Sequence, residues 1–411
     1  MTAVSSSSGD APVAERGAAT GGAGPADDFS VVLGGPLYQL LLRAGIVRPP
    51  LDLLARRIIV ISMLAWLPLL LLSIGIGRAW GGVKVPFLFD IAAQVRFLAS
   101  LPLLILAELI IHLRMRPLIE QFTAREIITP QDRPHFEQII QSSMRLRNSV
   151  VAEIILLVLV FSGGQTLWRT RATLASPTWY ADVSPAGMHL TAAGVCFAFW
   201  SLPLYQFILF RWYYRLLIWT RFLWHVSRLK LKLIPTHPDQ AGGIGFLAGS
   251  AAALMPFLVA QSATVSGIIA NRIFYDGGKL MQFRMEILAL LLILMALALG
   301  PLMVFAPILM RTQRTGNREY GEFASRYVAD FDRKWLRGEG GDRGELLGTG
   351  DIQSLADLGN SFSVVRSMNP FPFGRTAVIR LALVIVLPLA PLLLTVIPLD
   401  ELIDRLFRSV L

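Results

Sequence analysis

Apolar and polar positions alternate along this chain on a scale of whole helices. Seven apolar stretches, 58–77, 97–113, 150–167, 188–210, 243–270, 287–309 and 377–398, are each separated by a polar segment. Each is close to the roughly 20 residues an α-helix needs to cross hydrocarbon. Barrel strands would be about 10 residues long and alternate in polarity, a pattern this chain lacks. Helices are then the form in which the backbone satisfies its own hydrogen bonds in lipid. The predicted fold is all-α, a polytopic transmembrane helical bundle of about seven spans with a small helical hairpin outside it.

The basic residues sharpen this picture. Lys plus Arg number 5 before the first stretch, then 3, 6, 2, 6, 3 and 10 in successive connections, and 2 after the last. High and low values alternate throughout. The positive-inside rule then predicts an N-terminus inside and a C-terminus outside. The formal net charge of +10 is therefore read as topology plus attraction to anionic lipid headgroups, with no nucleic acid as partner. Charged residues are only 16% of the chain and hydrophobic ones 54%, with a mean hydropathy of +0.57. Soluble proteins carry about 25% charged residues. A lone cysteine, Cys196, excludes an internal disulfide and a thiolate metal cluster. The preference for Arg over Lys, with abundant Ala, Gly and Leu, suggests a GC-rich bacterial genome and hence the bacterial inner membrane.

Four regions follow. Residues 1–30, small and polar, are expected to be disordered. Residues 31–310 hold six spans, with 31–54 broken by Gly and Pro and expected to lie at the inner interface. Residues 311–376 are expected to form a cytoplasmic hairpin of helices 317–337 and 351–367, the first with Tyr320, Phe323, Tyr327, Phe331 and Trp335 at helical spacing. Residues 377–411 hold the seventh span and a short amphipathic tail. The continuation of the fourth span, 211–233, places Arg211, Arg215, Arg221, His225, Arg228 and Lys232 on one face and Trp212, Leu216, Trp219 and Leu223 on the other. That division predicts a helix at the headgroups.

Three stretches, VPFLFDIAAQVRFLASLPLLILAE, THPDQAGGIGFL and GTGDIQSLADLGNSFSVVRSMNPFPF, resemble a broad set of uncharacterised multi-span inner-membrane proteins of proteobacteria. The resemblance runs from about residue 31 to the C-terminus. It implies a location and no chemistry.

Candidate chemistry lies in three places. THPDQAGGIG, 236–245, pairs His237 and Asp239 with the backbone of Gly242, Gly243 and Gly245. It reads either as an anion or headgroup site, together with Arg211 and Arg215, or as a capped turn that lets helices pack closely. Glu108, His112 and Glu153 sit at similar depth near the inner ends of two spans. They read either as a proton relay or as charges neutralised by Arg114, Arg116, Arg145 or Arg147. Ser250, Gln261, Thr264 and Asn271 form a polar stripe on the fifth span, with Pro256 expected to interrupt the helix between them. That stripe reads either as a pathway lining or as interhelical hydrogen bonding. No phosphate-binding loop, HExxH or GxSxG occurs, and no metal or cofactor is implied.

The leading expectation is transport, or a channel-like role, for a small solute or ion. The alternative is a scaffold or sensor that recruits a partner through 311–376, and a lipid-directed enzyme is third. A homo-oligomer or another membrane partner stays open. The topology has a direct check. A reporter fused after Leu411 is expected to be active only outside the cytoplasm, and a cytoplasmic signal overturns the predicted orientation.

Overall fold

The computed structural model describes residues 30, 32, 34–43, 45, 53–164, 166, 177–184, 187–337 and 350–395. Of the region expected to be disordered, 1–30, only Ser30 is described, and it is buried; 1–29, the Gly-rich linker 338–349 and the tail 396–411 lie outside the described residues.

The chain is overwhelmingly helical. After a short α1 (Pro36–Arg43) come α2 (Leu54–Gly75), α3 (Ile91–Ala124), α4 (Arg133–Arg147) and α5 (Val150–Gly164). A hairpin of β1 (Ala181–Ser184) and β2 (Gly187–Leu190) precedes α6 (Ala192–Val226). Then follow α7 (Ala248–Ala253), α8 (Met255–Asp276), α9 (Leu280–Arg337), α10 (Gly350–Arg366) and α11 (Arg375–Thr395). Six of these, α2, α3, α6, α8, α9 and α11, are long and apolar enough to cross a membrane. A seventh is reached only by counting α4 and α5, bent by 48°, as one span.

Burial sorts the helices. About half of the apolar window of α6 and of α8 is buried, 50% and 56%, against 28% for α2 and 22% for α11. α6 and α8 are therefore central, and their neighbours present apolar flanks outward. Val150, Val151, Ile154, Ile155 and Val158 on α5 are all exposed, as a lipid-facing surface would be.

Central α6 corrects one expectation. Arg211 and Arg215 are buried, and so are Trp212, Leu216, Trp219 and Leu223 on the opposite face. The part of 211–226 that carries Arg211 and Arg215 therefore runs inside the bundle, where these two meet carboxylates, while Leu217, Arg221, Trp224 and His225 stay exposed.

Two local sequences shape the core. Ser100-Leu101-Pro102-Leu103 and Ser201-Leu202-Pro203-Leu204 repeat the same SLPL string in α3 and α6. A proline has no N–H for the carbonyl four residues back. Each helix accommodates this by a wide π-turn just before the string, Val95–Ser100 and Phe197–Ser201. The two turns touch through the Phe97 and Phe197 rings, edge to face at 6.2 Å.

The end of the bundle away from the basic connections is closed by a small cap. β1 and β2 pair antiparallel, Ala181 opposite Leu190. Arg78 holds Asp182 with two bonds of 3.0 and 3.1 Å. Phe87, Trp179, Tyr180 and Phe197 pack beneath as one aromatic group. The strands, unforeseen in the sequence, delay the start of α6 to Ala192.

At the basic end, α9 runs on from its apolar half into 317–337 without a new start, narrowing only at Gly300-Pro301. α10 folds back beside it, with Asp351 accepting from Lys334 at 2.8 Å and Trp335 at 3.0 Å.

Gly194 tests the packing of the cap on α6. A Cβ there would fall on the Tyr180 carbonyl oxygen, which is backbone and cannot rotate away. Gly194→Ala is expected to cost about 1–3 kcal/mol, read as a lower thermal midpoint of the purified protein. An unchanged midpoint would contradict this contact.

Candidate functional site

The interior holds charge. Glu108 of α3 is buried and takes one guanidinium on each oxygen. Arg57 of α2 lies at 2.8 Å and Arg215 of α6 at 2.6 Å. Arg57 also donates to the Ile105 carbonyl, 3.1 Å, and Arg215 lies over the Trp212 ring, 5.0 Å from its centroid. One turn away on α6, Arg211 pairs with Glu153 of α5 at 3.6 Å. Three arginines and two glutamates thus tie four helices together.

This differs from the expected group. Glu108 and Glu153 are not adjacent carboxylates sharing a proton; arginines stand between them. His112 sits apart, its Nδ1 3.1 Å from the Ser30 hydroxyl. The expected neutralisers are elsewhere too: Arg116 pairs with Glu120 at 3.0 Å, and Arg147 donates to the Ser30 carbonyl. The true partners come from helices far away in sequence. With both oxygens engaged, Glu108 is a structural counter-ion in this arrangement and not an open proton acceptor.

The predicted polar stripe divides into three. Ser250 falls on α7, not on α8, and only back-bonds to the Leu247 carbonyl. The helix is interrupted at Pro256 as expected: α7 ends at Ala253, Leu254 breaks the run, and Pro256 occupies the first turn of α8, where a missing N–H is harmless. Gln261 and Thr264 join a buried network in mid-bundle. Tyr205 meets Thr264 at 2.9 Å, Thr264 donates to Ser100 at 2.8 Å, and Ser100 donates to the Ala260 carbonyl at 2.9 Å. Thr264 also reaches the Ala260 carbonyl at 2.9 Å, and its single hydroxyl proton serves one of these contacts at a time. Tyr213 donates to Gln261 at 3.2 Å, while the Gln261 amide nitrogen is buried without a partner. Asn271 belongs to the far end. It donates to Asp90 at 2.7 Å, and Asp90 also caps α3 at Ala93 and accepts from Trp179 at 2.8 Å.

Arg96, Ser100, Glu108 and His112 recur at multiples of four residues along α3, a spacing that drifts about 40° per step, so they wind round the helix rather than share one face. Arg96 faces the Phe197 and Tyr205 rings at 5.8 and 5.9 Å, and Leu104 accepts from Trp212 at 3.1 Å. Trp212 and Phe257, both fully buried, pack at the level of Leu104 with ring centroids 5.7 Å apart.

The Asp239 turn is a self-contained unit. Asp239 accepts from the N–H of Ala241 at 2.9 Å, Gly243 at 3.1 Å and Gly245 at 2.8 Å, and His237 Nδ1 lies 2.8 Å away. Burial opposes its ionised form, but the three amides and His237 outweigh it and hold the carboxyl below the usual range. Gly242 and Gly243 have φ of 66° and 100°, so they turn the chain and do not begin a helix. A Cβ on Gly245 would meet the Asp239 carboxylate at 2.9 Å, so this glycine makes room for Asp239 and not for a neighbouring helix. The Asp239 carboxylate already occupies the amides that an anion would have used, which favours the capped turn. Asn369 bonds back to the Gln240 carbonyl at 2.7 Å, fixing the turn to the NPFPF segment.

Among the described residues, no three His, Cys, Asp or Glu side chains converge as metal ligands would. No protein-family model, curated protein or solved structure matches this chain.

Sequence reasoning missed Arg57, Arg96, Ser100, Tyr205, Tyr213 and Asp90. The four-residue recurrence on α3 was a visible signal for Arg96 and Ser100. Nothing local marked Arg57.

Glu108 is the keystone of the cluster. Glu108→Gln leaves Arg57 and Arg215 buried with no carboxylate between them, and removing one side of a buried pair costs about 3–5 kcal/mol. The expected outcome is a large fall in thermal midpoint, partly recovered by Arg57→Met in the same chain. Additive losses in the double variant would contradict the pairing.

Proposed function

We propose that this protein moves a small solute or ion across a membrane along the polar groups buried between α3, α6 and α8. What supports this reading is the mid-bundle network of Ser100, Tyr205, Thr264, Gln261 and Tyr213, with Arg96 one turn before Ser100 on α3. Ionisable and polar groups inside apolar bundles are costly, and they commonly mark ion or substrate paths. The arrangement is shut. Its hydroxyls bond to one another, and Trp212 with Phe257 separates the mid-bundle network from the arginine cluster. Opening would part the aromatic pair and release the hydroxyl chain to a passing solute. The π-turns of α3 and α6 supply helix segments whose hydrogen bonding is already loosened on that path.

The cell membrane we assign is the bacterial cytoplasmic membrane, with the arginine cluster towards the inside. The charge alternation carries that assignment. A scaffold is the second reading, favoured by one observation: Phe323, Val328, Leu336 and Ile352 stay exposed on the α9–α10 hairpin.

The test is flux through liposomes holding the purified protein, followed with a trapped pH dye and with labelled chloride, phosphate and short-chain carboxylates. Ser100→Ala with Thr264→Val removes the hydroxyl chain and spares the ion cluster. At least one probe is expected to cross faster than in empty vesicles, and the double variant is expected to slow it about tenfold, equivalent to about 1.4 kcal/mol on the barrier. Wild-type vesicles no leakier than empty ones, or equal rates in the variant, overturn the proposal. If the hairpin deletion 317–367 then strips a co-purifying protein, the scaffold reading takes its place.

A further inference from the structure

A second site lies at the basic end, apart from the polar groups between α3, α6 and α8. α1 lies across the junction of α4 and α5 and leaves a cavity of about 710 Å³. Arg43 and Arg147 stand on its wall with Tyr38, Asn148, Gly35 and Val150. Among the described residues, none of those that line it is acidic.

The donors are arranged for an anion. Arg147 uses Nη1 on the Ser30 carbonyl and Nε on the Asn148 side-chain oxygen, 3.1 Å. Its second terminal nitrogen has no partner among the described residues. The same Asn148 oxygen accepts from the Gly35 N–H at 3.1 Å. Both acceptor directions of that oxygen are thus occupied, and only the Asn148 amino group is left for a ligand. Arg43 is exposed and has no partner of its own among the described residues. Two guanidiniums and an amide facing one cavity are the groups that hold phosphate oxygens.

The charge behind the wall points the same way. Arg57, Arg211 and Arg215 outnumber Glu108 and Glu153 by one, and Arg147 adds a further positive charge beside them. A Cβ on Gly35 would lie 3.8 Å from an Arg211 nitrogen and 3.0 Å from a Glu153 oxygen, so only a glycine backbone separates cavity from cluster. Burying an unbalanced charge is costly, and an anion in the adjoining cavity lowers that cost. Val150, Val151 and Ile154 continue from the rim as an exposed apolar strip on α5, at the height where an acyl chain would run.

We infer that this cavity binds a phosphate group between Arg43 and Arg147, either the headgroup of an anionic phospholipid lying along α5 or a free phosphate compound from the aqueous side. The site does not depend on transport between α3, α6 and α8.

Full-length protein is purified in detergent and in nanodiscs. Native mass spectrometry then reads retained phosphatidylglycerol against phosphatidylcholine, and thermal shift reads inorganic phosphate. Arg43→Glu and Arg147→Gln are compared with Arg311→Gln, a change on an exposed arginine of α9 outside the cavity. Retained phosphatidylglycerol that falls about tenfold in Arg43→Glu and Arg147→Gln, the loss expected for one charge-assisted hydrogen bond, supports the membrane source. A phosphate-induced rise in midpoint that disappears in those variants, without retained lipid, supports the aqueous source. Either signal must survive in Arg311→Gln. Arg147→Gln breaks a bond to Ser30 and can unfold the junction, so exposed Arg43 decides the matter. No anion retained by the wild type, or retention unchanged in Arg43→Glu, overturns the inference.

Discussion

Arg57 and Arg215 hold the two oxygens of Glu108 at 2.8 and 2.6 Å, and the mutual placement of α2, α3 and α6 follows from that node. In an apolar interior an ion must be met by an opposite ion and by hydrogen bonds, or it is not tolerated. The requirement is directional as well as electrostatic. Glu108 has two oxygens in one plane, so the two arginines must approach from different helices. Arg211 and Glu153 extend the same logic to α5. A fatty core permits helices to slide and rotate at little cost, because one aliphatic contact resembles another. The ion pairs remove that freedom.

Two further carboxylates act in the same way at the ends of the bundle. Asp90 gathers the N-terminus of α3, the Trp179 indole and the Asn271 amide, and so joins the far cap to α8. Asp239 gathers three amides into a tight turn at the basic end. Each uses a single charged side chain to satisfy backbone groups that a loop would otherwise leave bare. Between these fixed points the SLPL strings of α3 and α6 carry wide π-turns. Along the bundle axis the order is cap, wide turns with the hydroxyl chain, aromatic pair and arginine cluster.

Much of the helical plan was legible in the chain. Six apolar runs became helices of membrane-crossing length, since any twenty-residue apolar run has only one way to satisfy its backbone in lipid. The boundaries were less legible. Tight pairing of Ala181–Ser184 with Gly187–Leu190 shortened the fourth run, and the break at Leu254, just before Pro256, detached Ser250 from α8. Candidate residues divided similarly. Glu108, Glu153, Gln261 and Thr264 were visible as polar groups in apolar surroundings, which is a local property. Their partners were not. The basic face of 211–226 reads equally well as a headgroup helix or as a counter-ion for buried glutamates, and only the position of α3 and α5 distinguishes the two.

The sequence by itself determined that the chain is built of long apolar helices, because hydropathy acts through each segment alone. Tertiary structure decided which charges meet. Arg57 lies 51 residues from Glu108, and Arg215 lies 107 residues from it on the other side. No periodicity reaches across such distances. The pairing depends on how each helix is rotated about its own axis, and that rotation is set by all the contacts of the bundle together.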